Sequence, residues 1–111
     1  MYKRQHKALG DLEQAKEYYQ RSLAIKLETL GAKHVAVATT YDNLGLVHGN
    51  LGDFEQAKEY YQRSLAIKLE TLGTKHVAVA TTYDKIGLVH GNLGDFQQAK
   101  EVLSTSFSHQ T

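Results

Sequence analysis

The sequence predicts an all-α fold, a right-handed superhelical solenoid of antiparallel helix pairs. Two observations predict it. The first is a repeat. Residues 9–50 and 51–92 are both 42 long and differ at four positions only, Leu12/Phe54, Ala32/Thr74, Asn43/Lys85 and Leu44/Ile86. A third copy opens at Leu93 and diverges at Val102. A fixed period between about 20 and 50 residues is the signature of stacked repeats, in which each unit buries its apolar face only against its neighbours. The second is helical periodicity within each copy. With 111 residues, the chain supports one small domain.

The elements follow in order. Tyr2–Leu9 is the tail end of a first helix, and 11–30 reads as its partner. The clearest copy of that partner is 53–72. There Phe54, Ala57, Tyr61, Leu65, Leu69 and Leu72 step by three or four residues, with Tyr60, Ser64 and Ile67 alongside. Asp53 is suited to cap the N-terminus, with Gln56 three residues on. Gly73 stands where a residue of positive φ ends a helix. The stretch 34–50 carries Val37, Tyr41, Leu44 and His48 at helical steps. Its opening, Val35 to Tyr41, also alternates and is β-branched, which locally suits a strand. The helical pattern continues past Tyr41, and a lone strand between helices has no partner, so the helix is the better reading. The expected helices are about 2–9, 11–30, 34–50, 53–72, 76–91 and 95–108. The organisation is a partial repeat at 1–30, a full repeat at 31–72, and a repeat at 73–111 with a degenerate C-terminal cap.

Composition excludes several functions. Thirteen Lys+Arg against twelve Asp+Glu leave a formal charge of +1, without the basic excess of a nucleic-acid face or a polybasic membrane patch. There is no Cys, so disulfides, thiolate nucleophiles and Cys-ligated zinc are excluded. No apolar run approaches the roughly 18 residues of a membrane helix. The N-terminus leads into no apolar segment of the kind that marks a secretory signal, which points to a cytoplasmic location.

Five of the six His sit at repeat-equivalent positions, His34 with His76 and His6 with His48 and His90. They read as structural copies, with His48 and His90 in an aromatic packing slot and His34 and His76 starting helices. No metal or other cofactor is expected. Six of the seven Tyr are likewise fixed by the repeat and read as core. Asp42 and Asp84, equivalents in adjacent first helices, are expected to approach each other across the groove. An open, wet groove seals no site for paired carboxylates, so no catalytic residue is assigned. Gly-Asn-Leu-Gly-Asp is turn chemistry rather than a phosphate loop.

These residues resemble the tetratricopeptide repeat. Tyr41, Leu44-Gly45, His48, Gly52, Phe54, Ala57, Tyr61 and Ser64 match that family's pattern of aromatic, small and leucine positions in spacing. The family's usual period is 34 residues, and a Pro usually follows its second helix. Here Leu69 takes that place and eight residues are added. The longer period, with Gly31-Ala32-Lys33-His34 before the first helix, resembles the kinesin light chain type. That type commonly has Pro after the His, where this chain has Val35 and Val77. The resemblance implies a protein–protein interaction scaffold with a concave groove built from first helices. The groove positions map to Thr39, Asp42, Asn43, Leu46 and Asn50, and in the next copy to Thr81, Asp84, Lys85, Leu88 and Asn92. The expected occupant is a protein or peptide. The set of cations that clamps a C-terminal carboxylate in chaperone-binding relatives is missing apart from Lys85.

A second reading is a self-assembly module. The C-terminal end, with Val102, Ser106 and His109 on its outer face, resembles a polar cap. The N-terminal end does not, and Tyr19, Leu23, Leu27 and Leu30 are expected to be partly bare. A homo-oligomer, most simply a dimer, follows, formed by end stacking or by helix exchange about Gly31 or Gly73.

Overall fold

A computed structural model describes the backbone of residues 2–109 and the side chains of residues 8–94. Four helices follow one another, α1 (Tyr2–Leu30), α2 (Val35–Asn50), α3 (Phe54–Leu72) and α4 (Val77–His109). Each packs against the next in an extended body measuring 60 × 39 × 21 Å. No strand occurs among the described residues, and Val35 to Tyr41 is helical. The architecture is the all-α solenoid expected.

The connections obey local chemistry. His34 and His76 cap α2 and α4, each ring Nδ1 accepting from the backbone N–H two residues on at 3.0 Å. The Asp53 carboxylate accepts from the Gln56 N–H at the start of α3. Between α2 and α3 the chain turns through Leu51–Asp53. Three backbone bonds close that turn, Leu51 N–H to Val47, Gly52 N–H to Gly49 and Asp53 N–H to His48. Gly52 has φ +85°, a conformation side-chain-bearing residues avoid. Gly73 has φ 89° and ψ 165°, positive as expected but in the extended mirror region rather than the left-handed helical well.

The expectation of six helices is corrected at both ends. Gly10 and Gly94 were expected to break the chain as Gly52 does, yet α1 and α4 run straight through them. Among the described residues only Gly31, Gly52 and Gly73 have positive φ. The same local sequence, Leu-Gly-Asp, therefore turns in one copy and stays helical in the other two. Local propensity does not decide between them.

The middle pair shows what holds a unit together. A Cβ on Gly45 would lie 2.6 Å from Cε1 of Tyr61 and under 3.0 Å from two more ring carbons. The aromatic ring thus occupies the space a side chain would need. Ala57 faces Gly49 across the same contact, at 3.9 Å from a Cβ built there. The long Tyr61 side chain, rather than the small Ala57, is what reaches Gly45. Tyr61 and Ala57 continue into a cluster with Val89, flanked by Phe54, Ile86 and Leu93. On the other side Val37, Ala38 and Ile67 form a cluster on which Leu23, Leu27 and Tyr41 pack. Tyr60 stacks on Tyr41 at 5.9 Å and on His48 at 5.3 Å, which confirms the aromatic slot for His48. His90, its equivalent, is exposed.

One substitution separates covered from uncovered copies. Gly45→Ala forces the Tyr61 ring aside, at about 1–3 kcal/mol for overpacking, against about 1 kcal/mol gained in helix propensity. At Gly87 nothing described lies within 4 Å, so Gly87→Ala keeps the propensity gain alone. In dilute solution, thermal melts of the two variants should move in opposite directions, Gly45→Ala down and Gly87→Ala up.

Candidate functional site

The positions expected to line a groove lie on α2 and on the first half of α4, and α3 packs against both helices. The repeat places equivalent positions one helix apart. A pocket of about 150 Å³ lies there, lined by Leu46, Gly49, Asn50, Phe54, Tyr61, Lys85, Leu88, Val89 and Asn92. Five of the ten groove residues expected from the sequence line it, namely Leu46, Asn50, Lys85, Leu88 and Asn92. Leu46 and Leu88 are large apolar side chains left exposed. Thr39 and Thr81 are also exposed, but each hydroxyl donates back to the carbonyl four residues earlier and is partly spent there. Asn43 is half-buried and lies outside the pocket, and Asp84 is exposed.

Asp42 departs from the expectation. Its carboxylate is buried and accepts from the Lys68 ammonium at 2.5 Å. Lys68 is itself buried and also donates to the Thr82 hydroxyl at 2.8 Å. One ammonium on α3 thus ties α2 to α4. Lys85 lies 4.0 Å from the same carboxylate and 5.9 Å from the centre of the Tyr61 ring. It is a second cation beside one carboxylate and leaves the edge of the pocket with a net positive charge. Asp42 and Asp84 do not form an exposed pair. Sequence reasoning passed over Lys68, although a lysine beside Leu65 and Leu69 on a packed helix demands an anionic partner. Lys26, its equivalent in α1, donates to Thr40 at 2.8 Å. Among the described residues no three His, Asp or Glu gather closely enough to hold a metal. No described helix is long and apolar enough to cross a membrane.

Burial pushes the Tyr61 phenol above its ordinary value near 10, and the Asp42 carboxylate adds to the shift.

A family model described as tetratricopeptide repeat matches residues 4–70 and again residues 43–109. The chain belongs to the tetratricopeptide repeat family, a family of non-catalytic repeat scaffolds. The crystal structure of BtubC (BKLC) from P. vanneervenii is similar to it, with 29% identity and a TM-score of 0.72 over 81% of this chain. The likeness covers 35% of that chain, so the present sequence spans about a third of its length. With that neighbour, the 42-residue repeats are of the kinesin light chain-like type. Comparison with curated proteins finds no match.

Two expectations follow from the buried groups. Removing Lys68 leaves the buried Asp42 carboxylate only the more exposed Lys85 at 4.0 Å, and breaking one side of a buried pair costs up to about 3–5 kcal/mol. Lys68→Met should lose stability on that scale in urea melts, and Asp42→Asn added to it should recover part of the loss. Because the folded state holds the Tyr61 proton more tightly than the unfolded chain, its contribution is fully present below about pH 10. That contribution is lost as pH climbs through the raised folded value. Melts of Tyr61→Phe should show a shallower alkaline fall than the parent protein.

Proposed function

We propose that the chain is a non-enzymatic protein-interaction scaffold that holds an extended peptide in the groove between α2 and α4. The observation that carries this reading is the pocket flanked by Leu46 and Leu88, two repeat-equivalent leucines exposed on one face. Asn50 and Asn92 stand beside them in the lining. Side-chain amides carry both donor and acceptor groups and can pair with the backbone of an extended chain. Lys85 adds one positive charge at the edge. The favoured ligand is a peptide with one apolar anchor and an acidic residue beside it.

Selection of peptides from a random display library against the folded chain tests this. Enriched peptides should carry the apolar–acidic pairing. Leu46→Ser with Leu88→Ser should cut their affinity at least tenfold, because fully burying one leucine is worth about 1.5–3 kcal/mol and about 1.4 kcal/mol is a factor of ten. Unchanged helicity with unchanged affinity would move the binding surface elsewhere.

A second reading, self-assembly through the repeat ends, is favoured by the exposure of Tyr18 and Ile25 on α1 and of Tyr83 on α4.

A further inference from the structure

The bare faces at the two ends are halves of one contact. In the middle repeat α3 covers α2. Among the described residues the corresponding face of α1 has no such partner. Tyr18 is 66% exposed where Tyr60 is 9%, and Ile25 is 63% exposed where Ile67 is 8%. The expected bare strip of Tyr19, Leu23, Leu27 and Leu30 is thus displaced around the helix. Leu23 and Leu27 pack on the core beneath α2, Tyr19 is half-buried, and only Leu30 is left largely exposed. On α4 the mirror situation holds. Tyr83, Gly87 and His90 are exposed where Tyr41 is half-buried and Gly45 and His48 are buried.

We infer that the α1 face of one copy docks on the α4 face of the next, repeating between molecules the α2–α3 contact seen within one, so that chains join head to tail. This rests on the self-assembly reading and gives it a partner and a register.

Three features support a second copy as the occupant. Segment 11–30 differs from 53–72 at Leu12/Phe54 alone, and segment 77–92 differs from 35–50 only at Lys85 and Ile86. The template contact can therefore be rebuilt almost side chain for side chain, with Tyr19 over Gly87 as Tyr61 lies over Gly45. Charge is complementary as well. Lys26 already donates to Thr40 as Lys68 does to Thr82, and among the described residues no carboxylate pairs with it as Asp42 pairs with Lys68. Asp84 is the equivalent of Asp42 on α4, exposed and with no cation paired to it among the described residues. The donor face is also arranged in advance, with the Arg21 guanidinium 5.5 Å from the centre of the Tyr18 ring as Arg63 is 5.6 Å from that of Tyr60.

The chain's own C-terminal segment is the rival occupant, and its sequence is a poorer match. It would bring Val102, Leu103 and Gln110 to the places of Tyr60, Tyr61 and Lys68. That removes the stack, the ring over the glycine and the ammonium. Its side chains, including the expected cap of Val102, Ser106 and His109, lie outside the described residues. Helix exchange about Gly31 or Gly73 is not required, since both glycines turn the chain within the body.

A contact between unlike faces does not close on itself, so growth continues past the dimer. Sedimentation velocity from low to high micromolar chain tests this on the full protein, with helicity checked for each variant. The weight-average mass of the parent should rise smoothly beyond twice the monomer. Gly87→Leu blocks the α4 face, Tyr18→Lys blocks the α1 face, and each alone should remain monomeric. Mixed one to one, they retain one good face each and should stop at a dimer. A parent that remains monomeric throughout would overturn the proposal together with the self-assembly reading. A closed dimer indifferent to both substitutions would overturn the head-to-tail contact alone. Peptide capture in the groove is read separately and is unaffected by either result.

Discussion

The Tyr61 ring seated over Gly45 sets the geometry of everything around it. Without a Cβ on α2, the ring can lie against the helix backbone, and the two helices approach in one register. That register brings Ala57 to Gly49, stacks Tyr60 between Tyr41 and His48, and lowers the Lys68 ammonium to Asp42. Lys68 then reaches Thr82 on the next helix, so the contact inside one unit also fixes the angle to its neighbour. The groove inherits its spacing from this arrangement. Tyr61 lines the same pocket as Leu46 and Leu88.

Position in the array, rather than local sequence, decides what each copied residue does. Asp42 is buried and paired, while Asp84 is exposed. His48 is stacked, while His90 faces out. Gly52 turns the chain, whereas Gly10 and Gly94 lie within helices. In each case the residues nearby in sequence are nearly the same and the difference is the helix that covers them. This is the behaviour of a quasi-one-dimensional fold, where stability comes from interfaces between neighbours.

The same logic explains how far the sequence could be read. The repeat was legible because the sequence matches itself at a shift of 42 residues, and the helical class and the caps at His34, His76 and Asp53 because they depend on spacing within about twenty residues. The continuity of α1 and α4 was not, because a Leu-Gly-Asp turn is stable only when a partner helix folds back on the other side. Asp42 was assigned to the groove because a single helix pattern cannot show a lysine 26 residues further along the chain. The displaced apolar strip on α1 has a similar cause. The stripe is wide enough to serve two neighbours, and periodicity does not say which neighbour is present.

The most direct test lies in the two equivalent glycines of α2 and α4. The Hα resonances of Gly45, beside the Tyr61 ring, and of Gly87, with nothing described within 4 Å of a Cβ built there, report ring proximity at each site in one spectrum. At low concentration Gly45 should show a ring-current displacement that vanishes in Tyr61→Leu, and Gly87 should show none. As concentration rises, Gly87 should move toward the position of Gly45. A Gly45 resonance insensitive to Tyr61→Leu, or a Gly87 resonance that is fixed at every concentration, would contradict the account.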